Sequence, residues 1–317
     1  MMALSFGIMI EGQEGLTWPR WQRLARTVED AGYDALFRSD HLTGVLGDPK
    51  RPSLETWACL SWLATGTSRI RFGPCVSPLT FYHPALLAKR AAAIAELSGG
   101  RFDLGIGAGW HEGEHVMFGI PFPSVRERMD RLECGARAIR ALWEGRPVTL
   151  DQPYYPLVNA ESYPRPPGGR VPLIIGGRGE KRALRIVAEH ADEWNVTRVT
   201  HDELAAKRAV LEEHCREVGR DPKTIRRSLM IPIIIGPSPA EVVIRRRKAS
   251  AIFPRLPADE AGWRAAGFLF GSVASVIKDL KRWEELGISR VMLQLLDQED
   301  LDAIELIARH VIPEFRR

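Results

Sequence analysis

Gly99-Gly100-Arg101-Phe102-Asp103-Leu104-Gly105-Ile106-Gly107-Ala108-Gly109-Trp110-His111-Glu112 runs from a turn, through a short apolar strand, to glycines that open onto a helix start. Glycines in such a place let the backbone approach a bound group with no Cβ in the way. The unpaired N–H groups of a helix start suit an anion or the polar edge of a ring. A tight strand-to-helix turn uses the same residues, so two readings stay open here: a ligand-facing strand end and a plain connection.

The same strand-then-helix unit recurs on both sides. Upstream, apolar strands fall at 4–10, 34–38 and 70–77, with helical periodicity at 18–31, 53–64 and 83–97. Downstream, a long amphipathic helix covers 124–143. Strands follow at 171–175, 193–196, 227–235 and 290–295, alternating with helices that end at 190, 218, 286 and 310. Eight short apolar strands alternating with helices are the grammar of parallel β/α units, and eight is the number that closes a ring. The expected fold class is α/β, a (β/α)8 TIM barrel; a doubly wound open sheet is the alternative. Two segments interrupt the rhythm. Residues 147–167 alternate Tyr, Pro and polar residues and predict a hairpin with an exposed loop. Residues 236–271 are irregular, with Pro254 and Pro257. No linker divides the chain, so one domain over 1–317 with two insertions is expected.

Composition narrows the classes. With 317 residues, 45% of them hydrophobic, the chain has enough apolar material for a large core. A net charge of +4 without a dense Lys/Arg block interleaved with aromatics argues against nucleic acid as partner. The run Arg245-Arg246-Arg247-Lys248 reads as a solvated helix face or a phosphate-seeking loop. Cys59, Cys75, Cys134 and Cys215 are widely spaced, which disfavours a disulfide framework or a cysteine zinc site. The first residues carry no charged-then-apolar leader, and no apolar run approaches the roughly 18 residues of a membrane span. A cytoplasmic protein acting on a small molecule, away from membranes, is expected.

In a β/α barrel the active site forms at the C-terminal ends of the strands. Those ends carry Asp40 and His41 after the second strand and Cys75-Val76-Ser77-Pro78 at the third. The fourth supplies Gly107, Ala108 and Gly109, and the fifth Gly176-Gly177-Arg178-Gly179-Glu180. Trp194 and Asn195 end the sixth, and Gln294 the eighth. The glycine-rich loop at 176–180, between a strand and a helix, predicts a phosphate cradle; its plain alternative is a helix start with Arg178 in solvent. His41 beside Asp40 is a candidate base, since histidine titrates near neutral pH, although such a pair also serves to fix loops.

Two sharper patterns carry less. His111-Glu112-Gly113-Glu114-His115 matches the H-E-x-x-H zinc motif, but Gly113 weakens the helix it requires and Gly119 and Pro121 follow closely, so no metal is expected. Gly105-Ile106-Gly107-Ala108-Gly109 has part of a dinucleotide fingerprint, with Trp110 where the last glycine belongs.

Taken in order, Arg38-Ser39-Asp40-His41, residues 99–110 and Ile174-Ile175-Gly176-Gly177-Arg178-Gly179 resemble the bacterial luciferase-like oxidoreductases. The Ser-Asp-His strand end and residues 107–123 look most like their deazaflavin (coenzyme F420)-dependent branch; a related branch uses FMN. The resemblance spans nearly the whole chain. It implies a barrel with the flavin-type ring near the C-terminal strand ends and a non-proline cis peptide at Cys75–Val76 against that ring. It further implies Asp40 at the ring, Gly107, Ala108 and Gly109 lining the cofactor, and residues 176–180 holding its phosphate. Asn195 joins these as a cofactor-site candidate by its strand-end position. His41 matches the proton-abstracting histidine of the family's sugar-phosphate dehydrogenases. Those relatives also carry a tryptophan soon after that histidine and a glutamate just past the central glycines, where this chain has Val45 and Trp110. The function implied is F420-dependent hydride transfer on a small organic substrate, by a homodimer. The alternatives are an FMN-dependent monooxygenase using reduced flavin and O₂, and a non-catalytic flavin- or deazaflavin-binding protein. The aromatic residues of the two insertions (Tyr154, Tyr155, Phe253, Trp263, Phe268) suit either an apolar substrate or packing on the barrel.

Overall fold

The computed structural model describes residues 3–316. Its strands are β1 (Ser5–Ile10), β2 (Ala35–Arg38), β3 (Arg71–Pro74), β4 (Ser77–Pro78), β5 (Leu104–Gly107), β6 (Val148–Leu150), β7 (Leu157–Ala160), β8 (Leu173–Gly176), β9 (Glu193–Thr197), β10 (Arg226–Gly236), β11 (Leu269–Ser272) and β12 (Arg290–Leu295). They run β3-β2-β1-β12-β10-β9-β8-β5-β4 in the main sheet. β3 and β4 are two halves of one strand, so this order is an eight-membered parallel ring, nearly closed. The expected strand at 70–77 is broken at the cis peptide Cys75–Val76. Its first half pairs with β2, its second with β5. Below the break, Phe72 N–H donates to Arg101 O at 3.1 Å and Asp103 N–H to Phe72 O at 2.9 Å, joining the ends of the ring.

Glycine makes this seam. A Cβ on Gly73 would stand 1.9 Å from Asp103 O, and one on Gly105 2.1 Å from Pro74 O. Two backbones meet there closer than any side chain permits.

Helices cover the ring through apolar stripes. The helix Val125–Trp143 buries Leu132, Ala136, Ile139 and Trp143, residues recurring three to four positions apart, and Ser124 Oγ caps it by accepting from Glu127 N–H at 3.2 Å. No described helix is long and apolar enough to cross a membrane.

The lumen is layered. At its N-terminal end, the buried Arg290 guanidinium donates to Asp103 and lies 3.0 Å from both Asp103 and Glu193. The middle is apolar: Met9, Phe37, Cys75, Ile174 and Met292, with Val76 and Met230 against them. Polar residues appear at the C-terminal end.

The hairpin expected within 147–167 forms from β6 and β7. Residues 236–271 are more regular than expected: two helices, Pro239–Ile252 and Glu260–Ala265, precede β11, which adds a parallel strand beside the second half of β10. Phe253, Trp263 and Phe268 pack with Ile234, Phe270, Leu296 and Leu46 in a small core of their own. Tyr155 donates to Leu79 O at 3.3 Å, and Tyr154 lies under Arg131. Each of these five aromatics is thus engaged in packing.

Candidate active site

Each C-terminal strand end contributes a distinct group. β2 ends in Arg38-Ser39-Asp40-His41, with the first three side chains buried. The Arg38 guanidinium donates to Ser39 O at 3.1 Å and to Cys59 Sγ at 3.0 Å. A Cβ on Gly12 would come within 2.5 Å of it, so the glycine after β1 is what admits this arginine. Asp40 accepts from Ser77 Oγ in β4 and from Tyr82 Oη at 3.1 Å. Burial pushes its carboxyl up, against the Ser77 hydrogen bond and the nearby Arg38 charge. Burial and the Asp40 charge likewise raise the Tyr82 phenol.

His41 is held from across the barrel mouth. Its Nδ1 lies 2.7 Å from Glu114 Oε1, while Glu114 Oε2 accepts from Leu42 N–H at 3.1 Å. Burial disfavours the imidazolium, but the hydrogen bond and charge of Glu114, with Glu11 and Asp40 behind it, outweigh burial and raise His41 above its ordinary 6.5. Trp110, 60% exposed, meets the imidazole edge-on with ring centres 5.8 Å apart.

Glu11 lies behind that pair. It accepts from Gln13 Nε2 at 2.8 Å and from Gln294 Nε2, and Gln298 Nε2 donates to its carbonyl at 2.7 Å. Polar groups from the loop after β1 and from β12, joined through Glu11 and Gln294, 283 residues apart in sequence, thus form one network behind His41.

The glycines divide by role. Gly107 and Gly176 face the Val76 side chain: a Cβ on Gly107 would stand 2.7 Å from Val76 Cγ2, and one on Gly176 3.3 Å. They make room for the bulged strand. Gly109 has φ +78°, and a Cβ there would stand 2.6 Å from Thr80 Oγ1. Ala108 is half-buried against the core. The Cys75 thiol, raised by burial, donates to Asn195 Oδ1 at 3.6 Å. Asn195 in turn donates to Ser228 Oγ at 2.9 Å, so its amide is engaged within the lumen.

The loop at 176–180 is exposed from Arg178 onward. Gly177 has φ +153° and Trp194 Nε1 donates to its carbonyl at 2.7 Å. Arg178 donates to Arg198 O at 2.7 Å, and Glu180 pairs with Lys207 at 2.8 Å. The helix expected directly after Glu180 begins later, at Ala183, because Arg182 takes the cap position. Among the described residues no hydrogen bond engages the N–H groups of 178–181.

The H-E-x-x-H residues have other work. His111 caps the helix Glu112–Met117, its Nδ1 accepting from Glu114 N–H at 3.2 Å. His115 Nδ1 donates to His111 O at 2.7 Å, and its Nε2 meets Thr80 Oγ1 at 2.8 Å. Sequence reasoning treated Glu114 as a filler position of this motif and passed over Glu11 and Tyr82. The burial of Glu114 and His115 between exposed neighbours arises in the folded chain and has no counterpart in the local sequence.

The family model of the luciferase-like monooxygenases matches residues 2–307. The chain belongs to this family. Within it, an F420-dependent glucose-6-phosphate dehydrogenase of Microbacterium testaceum is 29% identical over 293 residues, covering 91% of this chain and 82% of that protein. An F420-dependent hydroxymycolic acid dehydrogenase of Mycobacterium tuberculosis is 27% identical over 315 residues, covering 92% and 83%. Among solved structures, an F420-dependent secondary alcohol dehydrogenase in complex with an F420-acetone adduct superposes with a TM-score of 0.83 at 24% identity, each chain covered in full. The luciferase-like fold, a nearly closed parallel barrel, is thereby established for this chain, which is an oxidoreductase of that family.

Proposed function

We propose that this luciferase-like protein transfers a hydride between coenzyme F420 and a small organic substrate, with His41 moving the accompanying proton. The observation that carries the reading is His41 itself. Its Nδ1 is held by buried Glu114, while no hydrogen bond among the described residues engages its Nε2. The F420 dependence of the curated relatives supports the cofactor.

The residues present fit such a group. The unengaged N–H groups of 178–181, beside Gly177 and ahead of a helix, suit an anionic phosphate. The Cys75–Val76 bulge, with Asp40 bound to Ser77 just past it and Gly107 packed against Val76, offers a wall for a flat ring that Ala108 and Gly109 extend. The cofactor, when bound, supplies two-electron hydride chemistry. The protein supplies the rest. As a substrate alcohol is oxidised, His41 Nε2 accepts the hydroxyl proton; in the reverse direction it returns that proton to the carbonyl oxygen. Trp110 shields the imidazole edge from water. It also stands where the family's sugar-phosphate dehydrogenases carry a glutamate, a difference that argues against a sugar-phosphate substrate.

Anaerobic mixing with oxidised F420 and a panel of small secondary alcohols and sugar phosphates tests this reading. The expected result is deazaflavin reduction by at least one alcohol, lost in His41→Asn. Turnover with reduced FMN and O₂, and none with F420, overturns it.

A further inference from the structure

We propose that Glu114 is the positioning residue that fixes the proton of neutral His41 on Nδ1 and so makes Nε2 the nitrogen that meets substrate; its catalytic consequence rests on the function proposed above.

Both oxygens of Glu114 are committed to the His41 segment. Oε1 is 2.7 Å from Nδ1, and Oε2 accepts the Leu42 N–H at 3.1 Å. One carboxylate therefore fixes the ring and the main chain that carries it. Its side chain is 1% exposed, so water does not compete for either oxygen. A carboxylate has only acceptors, so a neutral imidazole held this way presents Nδ1–H to it and keeps the Nε2 lone pair free.

The platform is rigid for a reason written in the sequence. Glu114 sits on the short helix Glu112–Met117 between His111, which caps that helix, and His115, which is tied to His111 O and Thr80. The motif that resembled a zinc site spells a clamp: cap, carboxylate, anchor. Thr80 lies two residues past β4, so the clamp ties His41 to the bulged strand as well.

The charged and titratable groups facing His41 are Asp40 next to it in the chain, Glu11 from the loop after β1, and Glu114 and His111 from the helix. Of these, Glu114 alone hydrogen-bonds the imidazole. Glu11 and Asp40 add charge at longer range.

The test uses the full chain labelled with ¹⁵N-histidine, without cofactor. In the wild type, the His41 ring nitrogens are expected to show Nδ1 protonated and Nε2 bare once the imidazolium has lost its proton. In Glu114→Gln the proton affinity of His41 is expected to drop about tenfold or more, and Glu114→Asp to restore part of it. With F420 and an alcohol, Glu114→Gln is expected to lose about tenfold or more in kcat/KM. The acid limb of its pH profile should move to lower pH in step with His41, and F420 affinity should change less than about twofold. A wild-type His41 protonated on Nε2, or an unchanged His41 titration in folded Glu114→Gln, overturns the proposal. The wild-type measurement needs no variant, so misfolding of Glu114→Gln does not shelter it. Because the spectra are recorded without cofactor, failure to bind F420 would overturn the proposed function and leave this result standing.

Discussion

His41 and His190 show how one residue type is pushed in opposite directions by its surroundings. Glu114, Glu11 and Asp40 overcome burial at His41 and raise it above 6.5. A base must be neutral to accept a proton, so alcohol oxidation should rise with pH through a kinetic pKa above 6.5, read from kcat/KM. Replacing it, as His41→Asn, should lower kcat by about 10²–10⁴-fold in stopped-flow assays, with F420 affinity nearly unchanged. His190 ends the helix Ala183–His190 and is pushed down to about 4, chiefly by burial, with Arg137, Arg140 and Arg220 adding to it and Glu189 opposing. It stays neutral in the fold, whereas the unfolded chain takes up a proton near 6.5. Between 6.5 and about 4 the unfolded state binds more protons. The stability that neutral His190 contributes is therefore complete above that window and lost as pH falls through it. Thermal melts should decline over the window, and His190→Gln should flatten the decline; an unchanged slope in the variant would remove His190 as its cause.

At the scale of elements, the seam between β3–β4 and β5 is the exacting joint. A methyl group at Gly105 must displace Pro74 O from 2.1 Å. Gly105→Ala should cost about 1–3 kcal/mol or more, read from urea unfolding at an unchanged m-value. A melting curve matching the wild type would show that the seam opens without cost. The same joint marks where the sequence stopped being legible. Residues 70–77 read as one strand because Phe72, Cys75 and Val76 are all apolar, and periodicity does not report a break between apolar neighbours. Gly107, Ala108 and Gly109 read as a cofactor surface; that Gly107 also makes room for Val76, 31 positions earlier, has no local signal. Residues 236–271 looked irregular because the helix Pro239–Ile252 buries only Val242 and Ala249 and carries four successive basic residues, of which Arg245 turns inward to pair with Asp300 at 2.8 Å while Arg247 and Lys248 are exposed. β11 became a strand by pairing with β10, a tertiary fact without a local signal.

At the scale of the molecule, alternation of strand and helix patterns was enough to read the barrel, since each apolar strand needs cover on its outer face. Barrel geometry then gathers the strand ends on one face, where Asp40 and His41, adjacent in the chain, turn to different partners: Asp40 to Ser77 and Tyr82, His41 to Glu114. Glu114 was not legible as that partner, because 73 residues separate it from His41 and only ring closure brings them together. The far end of the lumen supplies the stability test. Arg290 sits between Asp103 and Glu193 with all three buried. Arg290→Ala leaves buried Glu193 with only Arg226, 3.6 Å away, and Asp103 with Arg71 alone, and should cost about 3–5 kcal/mol in chemical denaturation, while a loss near zero would mean that the charges reorganise. The central claim concerns the other end. A side-by-side fluorescence titration of the purified protein with coenzyme F420 and with FMN tests it most directly. Saturable binding of F420, with FMN much weaker, is the predicted result; preference for FMN, or binding of neither, would contradict it.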